Sequence, residues 1–261
     1  MSSVKKDLLL CFLLENYCKH NNYDFETLFN KLKDENLINI TYNNIEFNQA
    51  KECILCPPTC YLDYTGTLIK QSYNNVKLGS QHCDSVLSAP LTGGINSQML
   101  EDAGCEFVII GHSEQRIHLK ESNQILSDKL KSSIEMNLNP IFCVGESLQQ
   151  KEANQTNDIL AQQLDALPSN LLHECIIAYE PVWAIGTGKN ADISYIEEIH
   201  TFIKEQLKNK SNSTNYISVV YGGSVNLVNC KEIYSSDKVD GLLIGGASLD
   251  SDTFTKIYNI S

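Results

Sequence analysis

Two polar side chains in this sequence each follow an apolar run, and together they could form a proton-transfer pair. The first is His112, which comes after the run ending in Gly111 and precedes Ser113 and Glu114, residues typical of a helix start. The positive end of a helix disfavours a charged imidazole. We therefore expect His112 to be a neutral donor to an oxygen that gains charge. A purely structural helix cap is the alternative interpretation.

The second side chain is Glu180, which follows the apolar run Ile176 to Tyr179. It is expected at the rim of a sheet, partly withdrawn from water, where a carboxylate suits general-base catalysis. A salt-bridged rim carboxylate is the alternative. The next segment, Pro181 to Lys189, carries Pro and Trp at one end and two glycines at the other. This pattern is typical of a lid with a hinge at each end.

Two glycine-rich loops indicate a site for an anion, and phosphate is the expected anion. Gly222, Gly223 and Ser224 follow one apolar run, and Gly245 and Gly246 follow the next. Glycines before helical segments expose backbone N–H groups, and a helix N-terminus adds partial positive charge. Either glycine-rich loop alone would favour a tight turn. Two such loops after successive apolar runs favour a phosphate site, because proteins with a barrel of parallel strands often bind phosphate at the loops after their last two strands.

Eight short aliphatic runs read as strands, and segments with helical spacing alternate with them. The helical segments include Phe25 to Leu32, Ile125 to Ile134 and Ile193 to Ile203. Strand then helix, eight times in about 250 residues, predicts an α/β protein with one (β/α)8 barrel domain over residues 1–261. An open doubly wound sheet is the alternative, but no G-x-G-x-x-G follows the first strand. The runs are Leu8 to Leu14, Glu52 to Cys56, Lys77 to Gln81, Glu106 to Ile110, Pro140 to Val144, Cys175 to Tyr179, Tyr216 to Tyr221 and Val239 to Ile244.

Composition restricts the partners and the compartment. The chain has 20 basic and 32 acidic residues, a net charge of −12. Nucleic acid and anionic membrane are therefore not expected partners. The run Leu8 to Leu14 reads as a buried strand rather than a signal peptide, because Asp7 and Glu15 flank it. We expect a cytoplasmic protein.

Ten cysteines are few for a chain of 261 residues, so most are expected to be reduced. Only Cys53, Cys56 and Cys60 have a spacing that invites a metal, and no second Cys pair or His pair completes a site. We expect neither a metal nor an organic cofactor.

The strings GHSEQR, CVGES, YEPVWAIGTGK, YGGSV and GGASL together resemble the triosephosphate isomerase family, in order over nearly the whole chain. The resemblance implies a TIM barrel that interconverts dihydroxyacetone phosphate and D-glyceraldehyde 3-phosphate in glycolysis and gluconeogenesis. It implies that Glu180 moves a proton between carbons 1 and 2, and that His112 polarises the carbonyl. It also implies substrate binding by five residues: Asn16, Gly186, Ser224, Gly245 and Gly246.

The sequence departs from the family pattern at the first strand. There the family has an Asn and, two residues later, a Lys that enters the active site. Asn16 matches the asparagine, but Cys18 stands at the lysine position and Lys19 is one residue late. Successive strand side chains face opposite ways, so Lys19 should point away unless a bulge redirects it.

The loop after the third strand, which in the family enters a partner subunit, is also altered. Thr92 and Gly93 match the family, whereas Gly94 replaces a glutamate. We still expect a homodimer, with a looser interface. Two functions remain open: an isomerase, or a weakened or inactive barrel that binds small phosphates as a sensor or assembly partner. The pair His112 and Glu180 favours the isomerase, and Cys18 favours the second function.

Overall fold

The structure is a computed structural model that describes residues 7–12, 51–72, 76–85, 91–185, 190–211 and 216–260. The helix expected over Phe25 to Leu32 lies outside these ranges.

Eight parallel strands form a closed barrel in which each strand pairs with its neighbours in chain order and β8 returns to β1. The barrel expected from the sequence is thus confirmed, and the open sheet is excluded because β1 pairs with both β2 and β8. The strands are β1 (Asp7–Phe12), β2 (Lys51–Cys56), β3 (Val76–Ser80), β4 (Phe107–Ile110), β5 (Asn139–Val144), β6 (Ile176–Tyr179), β7 (Val219–Tyr221) and β8 (Gly241–Ile244).

The last two strands begin later than the apolar runs suggested, and the buried Asp240 lies where they begin. Its carboxylate accepts a hydrogen bond from the backbone N–H of Val219 at 2.8 Å and pairs with Lys204 at 2.9 Å. The hydroxyl of Tyr216 also donates to it. The backbone N–H of Asp240 donates to the Val219 carbonyl at 3.0 Å, so side-chain and backbone bonds together join the two strands here.

Nine α-helices lie in the described part of the chain. Two contain the periodic segments expected there: Ile125 to Ile134 and Ile193 to Ile203. No helix among the described residues is both long and apolar enough to span a membrane. The helices are α1 (Leu62–Ser72), α2 (Ser97–Asp102), α3 (Ser113–His118), α4 (Asn123–Glu135), α5 (Leu148–Glu152), α6 (Thr156–Leu164), α7 (Ile193–Lys210), α8 (Cys230–Ser235) and α9 (Ser251–Ile260).

The buried apolar side chains form two separate clusters, as alternation along the strands requires. One cluster includes Ile109, Ile141 and Ala178 from the strands alone, and the larger one joins strand residues to helix residues. Cys53 belongs to the larger cluster and Cys56 to the smaller one. Their thiols therefore face opposite sides of β2, which is incompatible with a shared metal.

Candidate active site

The structure brings His112 and Glu180 together, although they lie far apart in the chain: Ser113, the residue after His112, is 67 positions before Glu180. The imidazole Nε2 of His112 lies 3.3 Å from the carboxylate Oε1 of Glu180. Both side chains are buried at the carboxyl ends of β4 and β6. A hydrogen-bond donor and a carboxylate thus meet at the carboxyl ends of the strands, which is the end of the barrel where enzymes of this fold carry out their chemistry.

His112 is also the N-cap of α3, so the two interpretations of this residue are compatible. Its Nδ1 accepts a hydrogen bond from the backbone N–H of Glu114 at 3.4 Å. A nitrogen that accepts a hydrogen bond carries no proton, so the ring is neutral and its proton resides on Nε2. Nε2–H is the group that faces Glu180.

Glu180 is held against the start of α3. Its Oε2 accepts a hydrogen bond from the backbone N–H of Ser113 at 3.2 Å, and the residue is only 2% exposed. No Lys or Arg in the described ranges forms an ion pair with Glu180, so the structure does not favour the interpretation of Glu180 as a salt-bridged rim carboxylate. Cys143 lies beside Glu180. The pKa of its thiol is raised, mainly because the thiol is buried and also because the Glu180 charge is near. Cys143 therefore stays neutral beside the carboxylate.

The backbone of Glu180 is fixed by close packing against Gly145. The Glu180 N–H donates to the carbonyl of Val144 at 2.8 Å. A Cβ placed on Gly145 would come within 1.8 Å of the Glu180 carbonyl oxygen. The Gln163 amide bonds both the N–H and the carbonyl of Gly145, at 2.8 and 2.9 Å. Gly145, which follows β5, thus fixes the position of Glu180 at the end of β6.

Arg116 connects the ends of β4 and β5. Its Nε donates to the carbonyl of Gly111 at 2.7 Å, and its Nη2 donates to the carbonyl of Cys143 at 2.8 Å. Gly111 has a φ of +74°, which a residue with a side chain rarely adopts. The bend at Gly111 and the arginine together turn the chain so that His112 faces Glu180.

The two glycine-rich loops leave neighbouring strands, since Tyr221 of β7 pairs with Leu242 of β8. Ser224 is half-buried, and its carbonyl accepts a hydrogen bond from the side chain of Asn229 at 2.9 Å. Gly245 caps a short 3-10 turn, Gly246–Leu249, and a Cβ on Gly246 would meet nothing within 4 Å. Gly246 is exposed, and no protein atom fills the space where a side chain would stand.

One cluster of the site was not anticipated from the sequence. Glu146 is fully buried, and its carboxylate accepts hydrogen bonds from the Tyr179 hydroxyl, the Trp183 indole and the Tyr195 hydroxyl. The indole bond is 2.7 Å long, and the Glu146 carbonyl accepts the N–H of Val182 at 3.0 Å. The sequence signal was a carboxylate directly after a strand, in the string CVGES. The turn that follows Glu180 is anchored here.

Other residues named from the sequence lie outside the described residues. These are Asn16, Cys18, Lys19 and Gly186, so the first-strand and lid expectations stay predictions. Within the described ranges, no group of three or more His, Cys, Asp or Glu side chains could hold a metal ion.

The loop after β3 is described over residues 81–85 and again from Leu91 onward. A Cβ on Gly94 would lie 2.8 Å from Asp84 Oδ2 and 2.7 Å from a methyl of Leu91. The same Asp84 oxygen accepts the N–H of Ile95 at 2.6 Å. Asp84 and Leu91 therefore fill the space that a side chain at position 94 would need.

Comparisons with known proteins agree with the barrel fold. The sequence model of the triosephosphate isomerase family matches residues 25–261. A triosephosphate isomerase of Hydrogenovibrio crunogenus is 41% identical over 209 residues, which are 78% of this chain and 82% of that protein. One of Aquifex aeolicus is 40% identical over 228 residues, 85% of this chain and 91% of its own. One of Taenia solium is 38% identical over 224 residues, 83% and 88% of the two chains.

Proposed function

This chain belongs to the triosephosphate isomerase family and is an isomerase, and from that premise we propose which of its residues perform the reaction. The substrates are dihydroxyacetone phosphate and D-glyceraldehyde 3-phosphate. The alternative of an inactive phosphate-binding barrel is not favoured, because relatives over most of the chain are named as the enzyme.

Glu180 is the proposed base. Its carboxylate removes a proton from carbon 1 of dihydroxyacetone phosphate, and an enediolate forms. The same carboxyl group then returns the proton to carbon 2. Oε2 accepts the hydrogen bond from the Ser113 N–H, which orients the carboxylate so that Oε1 lies beside His112.

His112 is the proposed electrophile. Its Nε2–H donates to the substrate carbonyl oxygen, and this hydrogen bond strengthens as negative charge builds on the oxygen of the enediolate. A neutral imidazole can also pass a proton between the two enediolate oxygens. The bond from Glu114 N–H to Nδ1 supports this role, since it keeps the remaining proton on Nε2.

Ser224, Gly245 and Gly246 are proposed to bind the phosphate group through backbone N–H groups, joined by Gly186 from the lid. The exposure of Gly246 and the adjacency of β7 and β8 support this assignment. Asn16 is proposed to contact the substrate from the first strand. With the lid closed, water is kept from the enediolate, which would otherwise lose phosphate.

The observation that carries the proposal is the 3.3 Å approach of His112 Nε2 to Glu180 Oε1. The test is a coupled isomerase assay on purified protein and on Glu180→Gln, which keeps the shape but cannot accept a proton. We expect Glu180→Gln to lose at least about 1000-fold in kcat, given the usual contribution of a general base. Glu174→Gln, at an exposed site, is the matched control. Near-normal turnover in Glu180→Gln would refute the assignment.

We further propose a cytoplasmic homodimer in which residues 1–261 form one domain. Leu91, in the loop after β3, and Met99, on the following helix α2, are 56% and 55% exposed and offer apolar surface to a partner. The many buried thiols suit a reducing compartment. Sedimentation equilibrium tests the dimer, limited proteolysis tests the single domain, and cell fractionation tests the compartment.

A further inference from the structure

The half-buried side chain of Lys151 lies against two aromatic rings, and the reaction described above makes no use of it. Its Nζ lies 3.5 Å from the centre of the Trp183 ring and 4.1 Å from the centre of the Tyr195 ring. An ammonium over an aromatic face is attracted by the electrons of the ring, most strongly by Trp. The two ring centres are 6.1 Å apart, so one cation serves both rings.

Both rings donate hydrogen bonds to the same oxygen of Glu146. The Trp183 indole N–H lies 2.7 Å from Oε1, and the Tyr195 hydroxyl lies 3.0 Å from it. A cation on the face of a ring draws electron density away from its N–H or O–H and so strengthens the bond that group donates. Lys151 thus contacts the faces of the two rings, and Glu146 accepts hydrogen bonds from the polar groups at their edges.

The position of Lys151 is fixed independently of the rings. It lies on α5, a short helix that begins just after Glu146. Ser147 and Gln150 close a capping box at its start, with side chain to backbone bonds of 3.3 and 2.8 Å. The Lys151 N–H donates to the Ser147 carbonyl at 3.0 Å. These bonds fix the helix that carries Lys151, and its side chain reaches from there to the two rings.

Trp183 lies three residues beyond Glu180, in the 3-10 turn Val182–Ala184. We propose that Lys151 is a positioning residue for the reaction: its ammonium clamps Trp183 and Tyr195 on Glu146 and thereby fixes the chain that leaves Glu180. The inference rests on the proposed role of Glu180 as the base. Lys151 contacts no substrate in this account and acts only through the turn.

Trp183 is the only tryptophan of the chain, so tryptophan fluorescence reports on this clamp alone. The test compares wild type with Lys151→Met, which keeps the aliphatic stem and removes the charge, and with Lys151→Arg, which restores a cation. Lys131→Met, at an exposed position on α4, is the matched control. Each protein is assayed for kcat, KM, fluorescence anisotropy, acrylamide quenching and Tm.

We expect Lys151→Met to lower kcat about tenfold, with KM changed less than about twofold, because a cation–ring contact of this kind is lost and the phosphate loops are untouched. Trp183 should show lower anisotropy and stronger quenching. Lys151→Arg should recover most of both, and Lys131→Met should match wild type.

Two results would overturn the proposal. One is a Lys151→Met protein with wild-type kcat and unchanged Trp183 quenching. The other is a loss of kcat that Arg does not rescue or that leaves Trp183 fluorescence unchanged. Failure of the base assignment is seen separately, as activity retained in Glu180→Gln, whose Trp183 fluorescence should match wild type.

Discussion

The carboxylate of Glu180 and the imidazole of His112 face each other across 3.3 Å, and each is held from behind by a backbone N–H of the same helix. Ser113 N–H binds Glu180, and Glu114 N–H binds His112. The first turn of α3 thus positions both of the side chains that we propose carry out the reaction. Changes to either side chain should therefore alter chemistry more than they alter the binding of phosphate, which we propose takes place at the loops after β7 and β8.

Shortening the base should separate turnover from binding. Glu180→Asp withdraws the carboxylate by one methylene, and a displacement of about 1 Å from the reacting atom costs on the order of 100-fold in rate. The phosphate loops are unchanged, so the inhibition constant of inorganic phosphate should stay within about twofold. Steady-state kinetics with phosphate as competitor measure both quantities, and Glu174→Asp serves as the control. Equal losses in kcat and phosphate affinity would contradict the role of Glu180.

His200 should make the fold sensitive to acid. It is fully buried, its Nδ1 lies 3.2 Å from the Lys238 carbonyl oxygen, and burial lowers its pKa from 6.5 to about 3. Between these values the unfolded chain binds a proton that the folded protein does not. The stabilisation is therefore complete above pH 6.5 and is lost as the pH falls, by up to about 1.4 kcal/mol per pH unit.

Urea unfolding at pH 7 and pH 5 tests this dependence on His200→Gln, which keeps a donor for the carbonyl. We expect the difference in unfolding free energy between the two pH values to shrink in this variant. Burial also lowers the pKa of His82, and that group accounts for part of the slope that remains. His118→Gln, at an exposed position, should behave as wild type. An unchanged slope in His200→Gln would show that His200 is not the titrating group.

Restoring the family's glutamate at Gly94 should damage this chain. The new Cβ would stand 2.8 Å from Asp84 Oδ2, and a second carboxylate would be added beside the first. We expect Gly94→Glu to lower the unfolding free energy by about 1–3 kcal/mol, the usual cost of overpacking. The double variant Asp84→Ala, Gly94→Glu relieves the electrostatic conflict and should recover part of it. Thermal unfolding measures both, and a tighter, more stable dimer in Gly94→Glu alone would contradict the expectation.

The altered first strand can be tested with two variants compared at the same low ionic strength. If Cys18 leaves the site without its lysine, Cys18→Lys should raise kcat/KM by up to about three decades, since a charge about 4 Å from the substrate is worth about 4 kcal/mol. Lys19→Ala should then change little. If a bulge turns Lys19 inward, the two results exchange. No effect of either variant would mean that this position carries no substrate electrostatics.

The barrel, its strands and the pair His112 and Glu180 could be predicted because each depends on local order: an apolar run, then a polar residue. The cluster around Glu146 could not, because Tyr179, Trp183 and Tyr195 belong to separate elements and nothing in their spacing shows that their donors converge. The start of β7 was also missed. Tyr216 and Ile217 continue the apolar run, but β7 begins only at Val219, and the spacing does not show that the Tyr216 hydroxyl and the Val219 N–H both donate to Asp240.

The hydrogen bond from Glu114 to His112 has a thermodynamic consequence for the reaction. An isolated neutral imidazole exchanges between two tautomers, and only one of them offers a proton from Nε2. In this protein the choice is made when α3 folds, because the same N–H that completes the helix cap occupies Nδ1. In the role we propose for His112, the substrate therefore meets a tautomer that the helix has already selected, and the choice of tautomer adds no free energy to the barrier of the proton transfer.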